Sequence, residues 1–233
     1  MKRPIGISSS CGDWTVAELI DICKQHELDC VDLRVGRGQR WELAGPDQIL
    51  SLGIGITFFG SDIVIGDPNS SMSGRALELA VSYNVAIRVF LAHKANAALV
   101  DAHIDVLTKA LGGAELIWLE THRGYAEPDA LAHLCARSSC GIILDNYGLF
   151  QISKDCRREA DRVAPFVKAL QVKGFWDTIN VKQPHLGLDN LSGVQNNILR
   201  GDFGVCPMIL ESKANTLKQD FEFFRRLAKL ERE

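Results

Sequence analysis

The stretch LIWLETHRGY, Leu116 to Tyr125, decides how the chain is read. An apolar run closes on Glu120, and His122 follows two residues later. The same grammar returns twice: GIILD closes on Asp145, and PMILE closes on Glu211. Short apolar runs of this kind read as strands buried on both faces. A carboxylate at the last position is poor core material, because burying a charge without a partner costs several kcal/mol. A barrel of parallel strands resolves the conflict. All its C-terminal strand ends open on one mouth, where such charges can meet. Glu120, Asp145 and Glu211 are therefore expected to converge there.

Outward from this stretch, the chain divides into strand–helix units. Ile5–Ser8 is a first strand, and Asp13 is the expected N-cap of a helix over Thr15–His26. Strands are predicted at Cys30–Val35, Ile54–Phe59 and Ala86–Leu91, with helices at Pro46–Leu52, Asn69–Tyr83 and Ala95–Leu111. The last of these ends at Gly112-Gly113, a C-cap signal. Leu116–Glu120 is the fifth strand, and Pro128 opens the next helix. Gly141–Asp145, Ala169–Lys173 and Pro207–Glu211 complete the strands; helices follow near Asp155–Ala164, Leu191–Leu199 and Leu217–Leu230. The longest irregular stretch, Gly174 to Asp189, holds Trp176, Asp177, Lys182 and His185. Loops of that length in compact domains usually carry function or are disordered. The fold class is α/β, a single (β/α)8 TIM barrel over residues 1–233, within the size such barrels need, about 200 to 250 residues. An open doubly wound sheet would want a glycine-rich phosphate loop after the first strand. SSSCGDW, Ser8 to Trp14, is not one.

Composition excludes some partners. Apolar residues make up 46% and charged residues 24%, the net charge is −3, and the pI is about 6.1. No basic excess marks a nucleic-acid surface. Seven cysteines, an odd number without CxxC spacing, support neither a disulfide framework nor a zinc knuckle and point to a reduced, cytoplasmic protein. No apolar run is long enough for a signal peptide or a membrane span.

Carboxylates from near-neighbour strands at one mouth can hold a divalent cation through hard oxygen ligands. They can also serve as acid and base, since crowded like charges push their pKa values apart. Gln171 and Lys173 lie on one side of the seventh strand by alternation. Lys173 either neutralises the acids or binds an anionic group. Arg34 ends the second strand, as site residue or salt-bridge partner, and Arg88, inside the fourth, reads as an internal ion-pair partner. His122 could bind substrate or orient Glu120, and His185 could belong to a lid. His26, His93, His103 and His133 have no metal-ligand spacing. Cys11 lacks a paired histidine and is not read as a nucleophile.

Six segments carry a resemblance: VDLR (Val31–Arg34), IRVF (Ile87–Phe90), LETH (Leu119–His122), ILD (Ile143–Asp145), LQVKGF (Leu170–Phe175) and ILE (Ile209–Glu211). With HLGLDNLSGVQNNIL before the last strand, the chain resembles the sugar phosphate isomerase/epimerase family, which has the xylose-isomerase-like barrel. The resemblance implies a divalent metal on Glu120, Asp145, the strand-seven position Gln171, and Glu211. It implies that Glu120 and Glu211 also shuttle a proton next to a sugar carbonyl. Arg34, His122, Lys173 and His185 are the expected substrate binders from their positions at the strand ends and in the loops.

The chain departs from the family pattern at three points. Gln171 stands where histidine is usual, Gly148 stands where Asp-x-x-His is common, and Gly174 replaces an aspartate. An amide oxygen in place of an imidazole suits Mn²⁺ or Mg²⁺ better than Zn²⁺, or accompanies loss of the metal. The expectation is an isomerase or epimerase of a small sugar or polyhydroxy carbonyl compound. The alternatives are a dehydratase or lyase, or a non-catalytic binding barrel or complex subunit. The sequence leaves open whether the chain forms a homo-oligomer.

Overall fold

A computed structural model describes residues 3–175, 193–212 and 214–230. Trp176, Asp177, Lys182 and the expected substrate binder His185 lie outside the described residues. In chain order the elements are β1 (Ile5–Ser8), α1 (Val16–Gln25), β2 (Cys30–Arg34), α2 (Asp47–Ser51), β3 (Gly55–Ile65), α3 (Arg75–Tyr83), β4 (Ala86–Leu91) and α4 (Ala97–Leu111). Then come β5 (Ile117–Glu120), α5 (Pro128–Ser138), β6 (Gly141–Asp145), α6 (Asn146–Ile152), α7 (Cys156–Val163), β7 (Val167–Val172), α8 (Gly193–Leu199), β8 (Met208–Leu210) and α9 (Leu217–Leu230). The eight strands pair in sequence order, and β1 closes on β8, every pair parallel. The expected (β/α)8 barrel is the observed fold. No helix among the described residues is long and apolar enough to cross a membrane.

Two apolar layers hold it. Side chains such as Ile7, Leu33, Val89, Leu119, Leu144 and Leu170 belong to the large core cluster that also takes in helix residues such as Leu19, Leu107 and Leu131. A small separate cluster of Phe58, Ala86, Ile143 and Ala169 plugs the barrel interior. Strand residues alternate between these layers with period two. Two residues further along β6 and β7, Asp145 and Gln171 follow Ile143 and Ala169, so the plug is the floor beneath the polar mouth.

Local details differ from expectation where side-chain chemistry competes. Thr15, not Asp13, caps α1, in a reciprocal capping box with Glu18. Asp13 instead accepts the Arg40 backbone N–H at 2.9 Å. β3 runs past Phe59 to Ile65, with an irregularity between Gly60 and Val64 where the Ser61 hydroxyl donates to the Arg88 carbonyl at 2.6 Å. The helix predicted over Asn69–Tyr83 starts only at Arg75, after Gly74 at φ 125°.

Helix α6 was not expected. Asp145 creates it: its Oδ1 accepts the backbone N–H groups of Tyr147 at 2.9 Å and Gly148 at 3.0 Å, so the helix starts where the strand stops. Gly148 is required by the packing, because a Cβ there would overlap the backbone carbonyl of Thr121. Gly148→Ala is expected to destabilise the protein by about 1–3 kcal/mol, measured by urea unfolding. An unchanged midpoint would show that α6 shifts freely away from the end of β5.

Candidate functional site

Glu120, Asp145 and Glu211 end β5, β6 and follow β8 directly, and all three are buried. They share one chamber at the C-terminal mouth with cations from other strands. Lys173, just past β7, joins two of them: its Nζ donates to Asp145 Oδ2 at 2.6 Å and lies 3.2 Å from Glu211 Oε1. Arg34, at the end of β2, places Nη2 3.6 Å from Glu211 Oε2. Arg88, in β4, donates to Glu120 Oε2 at 2.5 Å, with neither side chain more than 1% exposed. Its guanidinium also sits 4.5 Å from the centre of the Phe90 ring. Gly60, opposite both arginines in the sheet, leaves room for them: a Cβ there would fall 2.8 Å from Arg34 Cδ and 3.1 Å from Arg88 Nη2.

A fourth carboxylate, Asp32, was not singled out from the sequence. It is fully buried, accepts the Ser8 hydroxyl at 2.6 Å, and accepts Gln171 Nε2 at 3.0 Å from across the barrel. The available signal was an acid in the middle of the otherwise apolar strand CVDLR. Serine-8 and Gln171 reach Asp32 because the period-two alternation turns all three inward.

Burial and charge pull against each other in this chamber. Burial, then the charge of Glu211, pushes the Asp32 carboxyl up to about 6, against the opposing pull of Arg34, Ser8 and Gln171. Burial acts the same way on Glu120, but Arg88, Arg34 and Lys173 outweigh it and hold the carboxyl below its usual range. Burial alone would depress the Lys173 ammonium; Asp145, Glu211 and Glu120 reverse this and hold it above its ordinary value. Glu120 Oε1 and Gln171 Oε1 are buried without a hydrogen-bond partner among the described residues.

The other expected residues fall nearby or elsewhere. His122 is half-buried on the rim, where its Nδ1 pairs with the Arg123 carbonyl at 2.8 Å and its ring meets the edge of Phe90. Tyr125 stacks on the same Phe90 ring at 4.2 Å between centroids. The Cys11 thiol is buried, donates to the Leu210 carbonyl at 3.4 Å and accepts the Ser212 N–H at 3.2 Å. Burial, and then Glu211, pushes it well above the ordinary thiol value, which leaves it inert.

The ligand set implied by the resemblance comes together, with several of its donor atoms engaged within the chain, while Glu120 Oε1 and Gln171 Oε1 keep no partner among the described residues. Glu120 holds Arg88, and Asp145 caps α6 with one oxygen and holds Lys173 with the other. Glu211 holds Lys173 and Arg34, and Gln171 acts as a donor to Asp32. Among the described residues no group of three or more His, Cys, Asp and Glu side chains is placed to hold one metal ion. Among the described residues Lys173 Nζ occupies the space between Asp145 and Glu211.

No protein-family model matches the chain, and no curated protein sequence matches it. Solved structures do. The chain superposes on a fusion of a xylose isomerase-like TIM barrel with 4-hydroxyphenylpyruvate dioxygenase at 16% identity and TM-score 0.67, covering 97% of this chain but only 42% of that one. It superposes on 3-keto-D-glucoside 4-epimerase from E. coli at 15% identity and TM-score 0.65, covering 98% and 100%. It also superposes on the IOLI protein, solved with a bound zinc atom, at 14% identity and TM-score 0.63, covering 99% and 96%. At such identities the likeness is one of fold: the chain shares the (β/α)8 barrel of these structures.

Two measurements probe the chamber. Breaking a buried pair leaves the surviving charge uncompensated, so Arg88→Met is expected to cost about 3–5 kcal/mol. The double variant Arg88→Met/Glu120→Gln should cost clearly less than the two single variants together, and additive losses in urea unfolding would deny the pair. Asp32 titrates higher in the folded chain than its ordinary value of 3.8. The native state therefore binds this proton more tightly, and the group's contribution to stability is lost as pH rises from about 4 to about 6, by about 3 kcal/mol at most. Asp32→Asn should gain stability relative to wild type over that window, and a difference that is flat with pH would refute the assignment.

Proposed function

We propose that the chain is an isomerase or epimerase that moves a proton next to the carbonyl of a small polyhydroxy compound, with Glu120 and Glu211 as the proton-transfer pair. One observation carries this reading. Two glutamates from β5 and the end of β8 share a water-poor chamber with two cations, Lys173 and Arg34, that both interact with Glu211.

The chemistry follows from what each group can do. A carboxylate takes the proton from the carbon beside the carbonyl, and the carbonyl oxygen gains negative charge. Fixed N–H donors aimed at that oxygen stabilise it far better in a low-dielectric site than in water. Lys173, held charged by its acidic neighbours, and Arg34, the more exposed of the two at 16%, supply such donors. Return of the proton to the former carbonyl carbon, with the proton of the adjacent hydroxyl passing to the former carbonyl oxygen, gives an isomer, and return to the opposite face of the same carbon gives an epimer. Atoms balance without a co-reactant. Glu120 keeps Oε1 without a hydrogen-bond partner among the described residues, so it has a lone pair to offer as base.

The fold shared with 3-keto-D-glucoside 4-epimerase supports this choice of chemistry. Phe90, Tyr125 and His122 form an aromatic wall on the same rim, suited to the C–H face of a sugar-like ring. We assign substrate binding to Arg34, Lys173 and His122.

The test is solvent-deuterium exchange, followed by NMR, over a panel of aldoses, ketoses, keto-sugars and their phosphates in D₂O. Glu120→Gln and Glu211→Gln are each expected to slow exchange by roughly 10²–10⁴-fold. Unchanged exchange in both variants, or none with any compound in the wild type, sinks the assignment. A product lighter by one water would make the protein a dehydratase.

A further inference from the structure

We propose that Lys173 is the resident cation of this site: its ammonium fills the gap between Asp145 and Glu211 where the resemblance would place a divalent metal, so the protein takes no such ion there. The inference deepens the functional reading of the mouth, and it rests on the donor set rather than on activity.

The geometry is that of an occupied cation site. Lys173 Nζ stands 2.6 Å from Asp145 Oδ2 and 3.2 Å from Glu211 Oε1, which are distances for N–H···O contacts. A metal bound to the same two oxygens would need about 2.0–2.2 Å to each, in the space the ammonium holds. The other oxygen of Asp145 is committed to the first turn of α6. Gln171, the third ligand position, donates its amide N–H to Asp32, and the fourth, Glu120, is clasped by Arg88 through Oε2. Each keeps its Oε1 without a partner among the described residues, so it is the ammonium between Asp145 and Glu211 that closes the site.

Charge gives the same answer. The chamber holds four buried carboxylates, Asp32, Glu120, Asp145 and Glu211, against the three cations Arg34, Arg88 and Lys173. One negative charge is in excess. A divalent ion would turn that into an excess of positive charge in a site with little water to screen it, directly beside an ammonium. The missing imidazoles belong to the same change. Gly148 cannot be replaced by histidine without moving the backbone, since even a Cβ overlaps the Thr121 carbonyl. Positions 148 and 171 therefore bring no imidazole to select a borderline metal, and Lys173, Arg34 and Arg88 pair with carboxylates of the site from within the chain.

The consequence for the reaction is that the group acting on the substrate oxygen is a hydrogen-bond donor. Lys173 supplies rotatable N–H donors, held in place by the two carboxylates.

The experiment is a Mn²⁺ titration of the full chain, followed by the EPR signal of free Mn²⁺ and by elemental analysis after dialysis. The wild type is expected to bind no stoichiometric Mn²⁺, and its unfolding temperature is expected not to move with Mn²⁺ concentration. Lys173→Met, which uncovers the two carboxylates, is expected to bind Mn²⁺ at least roughly tenfold more tightly than the wild type. One Mn²⁺ per wild-type chain, lost on Glu211→Gln, would overturn the proposal, as would equal affinity in a folded Lys173→Met. Should that variant not fold, the wild-type titration decides alone. A protein that exchanges solvent deuterium into a sugar and also binds Mn²⁺ refutes this inference while sparing the functional reading. A protein that does neither refutes the functional reading while sparing this one.

Discussion

The bond from Lys173 to Asp145 joins the fold to the chemistry. Asp145 ends β6, begins α6 through its Oδ1, and holds the ammonium through its Oδ2. One carboxylate thus fixes the direction of the chain, the start of a helix and the position of a cation. Its burial is tolerable because every charge it carries is answered within hydrogen-bonding distance. Buried pairs of this kind add little net stability, but removing either partner strands the other. The mouth is therefore held as a set, and its geometry cannot drift one residue at a time.

The barrel supplies the precision. A closed sheet leaves no edge, and alternation along each strand separates an apolar shell from an interior column. The Phe58, Ala86, Ile143 and Ala169 plug fills the lower part of that column, and the charged layer sits on it. Glycine at 60 is part of this layering. The absence of a side chain there lets Arg34 and Arg88 pass side by side to the acids. A chamber built from rigid strands holds its dipoles fixed during reaction, which is where electrostatic catalysis gains most. The same rigidity suits a binding site that never turns over, and the proton-transfer reading rests on the pairing of two glutamates with two donors rather than on the barrel itself.

Several features were legible in the sequence for local reasons. Apolar runs closing on Glu120, Asp145 and Glu211 marked strand ends, and Gly112-Gly113 and Pro128 marked helix boundaries, as the structure bears out. Arg88 read as an internal ion-pair partner, and its partner is Glu120. Helix α6 escaped because Asn146-Tyr147-Gly148 carries no helical periodicity. It exists because Asp145 caps it and Thr121 packs against it. Asp13 looked like a cap and lost to Thr15, whose neighbour three residues on, Glu18, closes a reciprocal pair. Asp32 escaped because one acid inside an apolar strand does not announce its partners, which come from β1 and β7.

What the sequence determined by itself was the barrel and three of the four acids at its mouth, because both follow from periodicity and from the penalty on unpaired charge, which act within a few residues. What only the tertiary structure decided was which cation answers which acid. Gln171 meets Asp32 across 139 positions of chain, and Lys173 meets Asp145 across 28. Such pairings depend on closure of the sheet, which brings strand ends together in space without leaving any trace in the spacing of residues along the chain.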